Sequence, residues 1–374
     1  MNRLIFPLWK MYAAPAFAFL LCFLMTPQVK RFAEYIGAID LPNERRINTH
    51  PVPRMGGIAI FIGFIMSVLV FVDMDTQIIG LLLGAVIIAV MGVMDDILNL
   101  TPWLKLLGQI LAAVVVIRCG IVFDAISNPG FLNTDATIQI GWLSYPMTVF
   151  WIVLCTNAVN LIDGLDGLAV GVSAISSLMM MIASLLISMT TGISVGYTPL
   201  LLACLLGSCI GFMPYNLNPA KIFMGDVGSQ FLGFVLSCVS VMGMFKMHAI
   251  FTFLVPAIAL ALPLGDTAFA FIRRIAHGQS PFHADRGHIH HKLIAMGMSQ
   301  KQAVAVLYAI SAIFGLVAVV LAGPGSAFRS IVLGAVLLIS VVVAFFIFRK
   351  NRKLHTVSHE SPADAGHRPE DSST

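Results

Sequence analysis

The chain has 374 residues, of which 58% are hydrophobic and only 11% are charged, and its mean hydropathy is +0.92. A soluble domain carries about 25% charged residues, so this composition excludes a soluble protein and indicates an integral membrane protein. The formal net charge of +4, without a basic stripe, excludes nucleic acid as a partner. Six scattered cysteines without a C-x-x-C pair are expected to be buried hydrophobic residues.

Apolar segments of about 20 residues, the length that crosses the hydrocarbon core, occur eleven times. The first, at 11–29, is too long for a signal-peptide core and lacks a small-residue cleavage site, so we expect it to be retained. The others lie at about 56–72, 77–94, 103–119, 146–162, 167–189, 198–216, 228–245, 249–271, 302–322 and 327–348. The sequence thus predicts an all-α polytopic membrane protein with one multi-span domain, 1–348, and a disordered polar tail, 349–374.

The distribution of Lys and Arg predicts how these spans are oriented. All but five of the 22 basic residues fall in the segments that follow the odd-numbered spans. Because basic residues are enriched in cytoplasmic loops, we expect this side to be cytoplasmic, with the N-terminus outside and the C-terminus inside.

Six aspartates gather at the predicted cytoplasmic face, where four different hairpins deliver them. They are Asp95, Asp96, Asp163, Asp166, Asp226 and Asp266. A charge at the bilayer centre costs about 2.5–3.5 kcal/mol even on the mildest scale, so carboxylates beside apolar spans indicate a functional site.

Polar side chains recur at every third position into the segment NLIDGLDGL. They are Asn157, Asn160, Asp163 and Asp166. Successive members share a helical face, but all four cannot, and the two glycines permit a turn or a close approach. A connection with capping aspartates is the simpler alternative, although it does not explain asparagines inside the span.

Two further motifs place carboxylates at span ends. In MDDILN, Asp95 and Asp96 repel each other unless a cation neutralises them, and Lys105 follows about ten residues on. In KIFMGDVGSQ, Asp226 starts a span whose helix N-terminus suits phosphate, and Lys221 is a further phosphate candidate. The alternatives are a solvated loop for the first motif and a capped turn for the second.

The predicted loop at 272–301 combines histidines with basic residues. His288, His290 and His291 lack the i, i+4 spacing of a helical zinc pair, although His283 could add a fourth zinc ligand. With Arg274 and its basic neighbours, these donors suit an anion. The alternative is a solvated basic loop.

Together, carboxylates and phosphate-type donors at one membrane face predict a polyphosphate substrate bridged by a hard cation. Oxygen ligands favour Mg²⁺, with Mn²⁺ as a possible substitute. The location favours one water-soluble and one lipid substrate. A secondary transporter is the alternative from another class, but transporter sites lie near the midplane and between inverted repeats, and no repeat is visible here.

Over roughly residues 15–345 the sequence resembles the polyprenyl-phosphate N-acetylhexosamine-1-phosphate transferases. The resemblance rests on five ordered motifs, PNERRINTHPVPRMGG, GVMDDILN, NAVNLIDGLDG, YNLNPAKIFMGDVGS and RR…ADRGHIHH. The H-x-H-H motif and the eleven spans resemble the branch that acts on UDP-GlcNAc rather than the peptidoglycan branch. Gly265, before Asp266, departs from the apolar residue usual in the family.

The resemblance implies that GlcNAc-1-phosphate passes from UDP-GlcNAc to undecaprenyl phosphate, with Mg²⁺, giving GlcNAc-pyrophosphoryl-undecaprenol and UMP. The donor could instead be UDP-GalNAc, a diacetamido sugar nucleotide or UDP-MurNAc-pentapeptide. Direct attack by the lipid phosphate and an aspartate nucleophile both remain open.

The resemblance also implies roles for individual residues. Catalytic roles fall to Asp95, Asp96 and Asp226, and metal binding to Asp226, Asp95 and Asp163. The implied substrate-binding residues are Asn157, Asn160, Asp163, Asp166, Lys221, Arg274, His288, His290, His291, Lys105 and Arg45.

The same family likeness sets the expected surroundings of the protein. It implies the bacterial cytoplasmic membrane, an active site that faces the cytoplasm, and the first membrane step of a teichoic acid, O-antigen or common-antigen polymer. A homodimer and inhibition by tunicamycin-type nucleosides are expected on the same ground alone.

Overall fold

The computed structural model describes residues 5–41, 50–123, 125–127, 137–139, 141–192, 194–243, 256–276 and 289–323, with four isolated positions at 334, 336, 339 and 340. Its helices are α1 (Lys10–Tyr35), α2 (Gly57–Phe71), α3 (Thr76–Leu98), α4 (Pro102–Arg118), α5 (Ser144–Ile162), α6 (Leu168–Thr191), α7 (Thr198–Asn216), α8 (Gly225–Gly243), α9 (Ala261–Ala276), α10 (Ile289–Ala295) and α11 (Gln300–Ala322). Two small antiparallel ribbons pair β1 (Ile39–Asp40) with β2 (Val52–Pro53) and β3 (Ala125–Ser127) with β4 (Thr137–Gln139). The all-α prediction is confirmed.

Among the described residues, seven helices are long and apolar enough to cross a membrane: α1, α3, α5, α6, α7, α8 and α11. The apolar helix α2 is shorter, at 15 residues, and α4 and α9 have 17 and 16 residues. The predicted span at 327–348 and the tail at 349–374 lie almost wholly outside the described residues. The protein is therefore a polytopic membrane protein, and the total of eleven spans and the positions of the termini stay predictions.

Helix α8 forms the centre of the bundle, where it packs against α2, α3 and α5. In the apolar stretch of α8, 89% of the residues are buried, whereas in that of α1 only 28% are buried. The neighbouring helices thus enclose α8 in the interior of the bundle, whereas α1 lies at its periphery. The start of α8 is consequently held on several sides, which matters because Asp226 lies there.

Backbone hydrogen bonds join the β1–β2 ribbon to the segment before α8. The N–H of Phe223 donates to the carbonyl of Pro53 at 2.8 Å, the N–H of Gly56 donates to the carbonyl of Phe223 at 2.9 Å, and the N–H of Gly57 donates to the carbonyl of Met224 at 2.8 Å. This pairing fixes the motif PVPRMGG beside the start of α8.

The prediction of one loop over 272–301 is wrong in two places. Helix α9 continues to Ala276, and residues Ile289–Ala295 form α10. For α10 a tertiary contact contributes, because Asp266 on α9 accepts the N–H of Ile289, the first residue of α10, at 2.9 Å. Polar composition alone does not reveal such a distant cap.

Candidate active site

A cavity of about 330 Å³ lies at the end of the bundle where α5 ends and α8 begins. This volume is within the range of small-molecule sites, roughly 300–1,000 Å³. The lining contains four carboxylates, two asparagines, one arginine and one histidine. It consists of Asp40, Arg54, Asn160, Asp163, Gly164, Leu165, Asp166, Asn216, Phe223, Gly225, Asp226, His291 and Gln300.

Asp226 lies in the first turn of α8, at the wall of the cavity. The preceding Gly225 has φ +72°, and a Cβ there would collide with the carboxylate of Asp96, so glycine is required. Asn160 donates to Asp226 Oδ1 at 3.1 Å, and Lys105 donates to Asp226 Oδ2 at 2.6 Å. Both oxygens of Asp226 thus have defined partners from α5 and α4.

The adjacent aspartates of MDDILN have different surroundings although both are buried. Asp95 Oδ1 accepts the N–H of Leu100 at 2.8 Å, and Asp95 Oδ2 forms an ion pair with Lys105. Asp96 instead accepts the backbone N–H groups of Asp226 at 3.0 Å and Val227 at 3.3 Å. Asp95 therefore faces Lys105 and Asp226, whereas Asp96 is used by the helix backbone.

The chemistry of these donors fits a hard divalent cation. Asp95 and Asp226 each direct one oxygen at the ammonium of Lys105, so two carboxylates face one point. Mg²⁺ is usually bound by one or two carboxylates together with substrate phosphates and water. Across the described ranges, no three Asp, Glu, His or Cys side chains come together as a metal site, so the structure does not bring Asp95, Asp163 and Asp226 together as a three-ligand set.

Asp163, the third predicted metal ligand, follows the last residue of α5 and lines the same cavity. Its loss of water contact and the negative charges of Asp226 and Asp96 raise the pKa of Asp163 to about 7. A nearby cation would reverse the effect of these negative charges.

Asn157, predicted to bind substrate, lies in a buried amide cluster and outside the cavity lining. Its Nδ2 donates to Gln109 Oε1 at 2.7 Å, and Gln109 Nε2 donates to Gln230 Oε1 at 3.1 Å. Gln109 follows Lys105 by four residues, and Gln230 follows Asp226 by four, so the cluster lies one helical turn deeper. The cluster therefore supports the helical turns that carry Lys105 and Asp226 without lining the cavity.

Asp166 lines the cavity and joins two other parts of the chain. Its Oδ2 accepts Asn218 Nδ2 at 2.9 Å and the N–H of Ala220 at 3.0 Å. Asn218 also donates to Gln300 Oε1, at 2.7 Å, on α11. Asn218 stands in the quoted motif YNLNPA, so a signal for it existed, whereas nothing in the sequence singled out Gln300.

Only one of the two described histidines of the H-x-H-H motif lines the cavity. His291 contributes to the wall, while His290 is buried, with 3% exposure, and its ring centroid lies 4.3 Å from that of His291. A Cβ at Gly164 would overlap the His290 imidazole, so the first glycine of NLIDGLDGL permits this close contact. Within the motif, His291 is therefore a cavity residue and His290 is a packing residue.

Several predicted residues do not join this cluster. Lys221 is exposed, and Arg274 is half-buried in the last turn of α9; neither lines the cavity. Arg45 and His288 lie outside the described residues. Sequence reasoning in turn missed Arg54, although it stands in the quoted motif PVPRMGG.

Comparison with known proteins supports a single family. The sequence model of glycosyl transferase family 4 matches residues 78–244. A probable undecaprenyl-phosphate N-acetylglucosaminyl 1-phosphate transferase of Bacillus subtilis is 42% identical over 80% of this chain and 81% of its own length. A decaprenyl-phosphate N-acetylglucosaminephosphotransferase of Mycolicibacterium smegmatis is 32% identical, covering 90% and 88%. A phospho-N-acetylmuramoyl-pentapeptide-transferase of Staphylococcus aureus is 32% identical, covering 71% and 83%.

Proposed function

The chain belongs to glycosyl transferase family 4, and we propose that it transfers GlcNAc-1-phosphate from UDP-GlcNAc to undecaprenyl phosphate. A lipid phosphate oxygen attacks the β-phosphorus of UDP-GlcNAc, the new P–O bond forms, and the bond to the bridging oxygen breaks to release UMP. The observation that carries the proposal is the Lys105 ammonium shared by Asp95 and Asp226 beside the cavity.

Phosphoryl transfer of this kind depends mainly on positioning and on neutralising the charge of the phosphates. Lys105 supplies a positive charge beside Asp226, and Asn160 orients the Asp226 carboxylate. Asp226 and Asp95 would hold Mg²⁺ together with phosphate oxygens of the substrates and water. When bound, the cation would offset the charge of the pyrophosphate. Mn²⁺ is the expected substitute.

We favour direct attack by the lipid phosphate over an aspartate nucleophile. A phosphate monoester has a second pKa of about 6, so it is mostly dianionic at pH 7 and needs no strong base. Asp95 is held by Leu100 and Lys105, and both oxygens of Asp96 accept backbone N–H groups. Neither carboxylate is therefore arranged as an unencumbered nucleophile.

The proposal also specifies the sugar-nucleotide donor and the membrane in which the protein lies. The similarity to the Bacillus relative supports UDP-GlcNAc, while the similarity to the Staphylococcus protein keeps UDP-MurNAc-pentapeptide as a second candidate donor. The concentration of Lys and Arg on the site's side supports the cytoplasmic membrane with the site facing the cytoplasm. The product would be the first lipid-linked intermediate of an envelope polysaccharide.

The deciding experiment measures UMP release by the purified protein in detergent with Mg²⁺ and undecaprenyl phosphate. UDP-GlcNAc, UDP-GalNAc and UDP-MurNAc-pentapeptide are supplied separately. We expect lipid-dependent UMP from UDP-GlcNAc alone. UMP from another donor would correct the sugar, and no UMP from any donor with folded protein would reject the proposal.

A further inference from the structure

Arg54 follows strand β2 and lines the cavity beside Asp226. We infer that Arg54 binds a phosphate group of a substrate, through the guanidinium, during the transfer. This inference rests on the proposed function and adds to it a residue outside the set of aspartates, asparagines, lysines and histidines already discussed.

The position of Arg54 is fixed by the backbone and does not depend on its side chain. Its N–H donates to the carbonyl of Ala38 at 2.9 Å. The preceding Pro53 and the glycine two residues later are hydrogen-bonded to Phe223, three residues before Asp226. The main chain of Arg54 is therefore held beside the segment that leads into α8, within reach of the cavity that its side chain lines.

The contacts of Arg54 with the side chains that the structure describes leave hydrogen-bonding capacity for a ligand. Its Nε lies 3.5 Å from Asp40 Oδ1 and 3.9 Å from Asp96 Oδ1, and both distances exceed an ordinary hydrogen bond of about 2.7–3.2 Å. Asp96 already accepts two backbone N–H groups of α8. The guanidinium has five N–H donors, and its side chain keeps 24% exposure.

The charge of the cavity wall indicates that an anionic substrate needs Arg54 as a cationic contact. Four aspartates line the cavity, and Arg54 contributes the arginine among them. An anionic substrate entering such a wall needs cationic contacts, and a guanidinium presents parallel N–H groups that match two phosphate oxygens. Asp40 and Asp96 hold the guanidinium in place by charge attraction without consuming its hydrogen-bonding edge.

The phosphate could belong to either substrate. The pyrophosphate of the nucleotide sugar and the monoester of the lipid present the same oxygen chemistry to an arginine. Steady-state kinetics separates them, because loss of the contact raises KM for the substrate that supplies the phosphate.

The test compares Arg54→Gln and Arg54→Lys with the control Arg31→Gln, which removes an exposed arginine in α1 outside the cavity lining. KM and kcat are measured for UDP-GlcNAc and for undecaprenyl phosphate separately. Binding of inorganic pyrophosphate, which represents the nucleotide sugar, and of inorganic phosphate, which represents the lipid monoester, is measured with Mg²⁺ by calorimetry without turnover. Thermal unfolding in detergent identifies variants that fail to fold.

We expect Arg54→Gln to raise one of the two KM values at least tenfold and to leave the melting temperature near that of Arg31→Gln. Binding of pyrophosphate should weaken by a similar factor if the affected KM is that of UDP-GlcNAc, and binding of phosphate if it is that of undecaprenyl phosphate. Arg54→Lys keeps the charge but loses the paired donors, so it should recover only part of the loss. If Arg54→Gln fails to fold, Arg54→Lys alone decides, with a KM rise of at least threefold expected.

Unchanged KM values and unchanged pyrophosphate binding in a folded variant would overturn the assignment of Arg54 while leaving the transfer reaction intact. If the unmodified protein releases no UMP, the proposed function fails. Binding of the two anions then decides the Arg54 inference separately, and equal affinity of Arg54→Gln and Arg31→Gln for both anions would overturn it.

Discussion

The carboxylate of Asp96 caps the helix that begins beside Asp226. Asp96 Oδ1 accepts the N–H of Asp226 at 3.0 Å, and Asp96 Oδ2 accepts the N–H of Val227 at 3.3 Å. A carboxylate at a helix N-terminus satisfies unpaired N–H groups and interacts favourably with the helix dipole. Asp96 thus positions Asp226, whereas its neighbour Asp95 contacts Lys105 directly.

Replacing Asp96 by Asn should lower stability as well as activity. The amide would turn an N–H donor toward a backbone N–H, which leaves a buried group unpaired and costs about 1–3 kcal/mol. We expect a lower melting temperature and a higher Mg²⁺ concentration for half-maximal activity. Asp75→Asn is the matched control, because Asp75 caps the opposite end of α3 by accepting the N–H of Ile78 at 2.8 Å. Lost activity with an unchanged melting temperature and unchanged Mg²⁺ requirement would instead indicate a direct chemical role for Asp96.

The Asp226→Asn variant should fold but lose almost all turnover. The amide oxygen could still accept a hydrogen bond from Lys105. The substitution nevertheless removes the negative charge that Asp226, together with Asp95, directs at the Lys105 ammonium. We expect kcat for UMP release to fall by at least about 10³-fold, as for loss of a group that acts mainly in the transition state. Glu34→Gln, at an exposed i, i+4 pair with Lys30, is the control for removing a carboxylate. Near-normal turnover by a folded Asp226→Asn protein would exclude Asp226 as the metal ligand.

The gathering of aspartates could be predicted from the sequence, because span length and loop charge place Asp95, Asp163, Asp166 and Asp226 at the same end of the helix bundle. Three of these four, Asp163, Asp166 and Asp226, line the cavity. Asp95 does not line it but forms an ion pair with Lys105 beside it. Local rules suffice here, since helix ends are set by apolar length and by turn residues.

The different structural roles of the aspartates could not be predicted in the same way. Asp96 caps a helix 130 residues further along the chain, and Asp266 caps one 23 residues further. A cap is visible in a sequence only when it precedes its own helix by a few residues. For the same reason, the sequence does not reveal Gln300 and Arg54 as cavity residues, because tertiary packing brings the start of α11 and the β1–β2 ribbon to the cavity.

Removal of the divalent cation should abolish activity reversibly. Asp95 and Asp226 offer hard oxygen donors, which favour Mg²⁺ and Mn²⁺ over Zn²⁺. We expect no UMP release after exhaustive treatment with EDTA, recovery with excess Mg²⁺ or Mn²⁺, and little recovery with Zn²⁺. The unfolding temperature before and after chelation serves as the control for damage to the fold. Full activity after complete chelation would reject the cation in the proposed mechanism.

The two described histidines of the H-x-H-H motif should respond differently to substitution by alanine. His291 lines the cavity, so His291→Ala should raise KM for UDP-GlcNAc or lower kcat with little change in melting temperature. His290 is buried against Gly164, so His290→Ala leaves a cavity and should lower the melting temperature as well. His50→Ala, at an exposed histidine outside the cavity lining, controls for loss of an imidazole. Kinetics and thermal unfolding in the same detergent separate the two effects. Equal kinetics for His291→Ala and His50→Ala would remove His291 from the site.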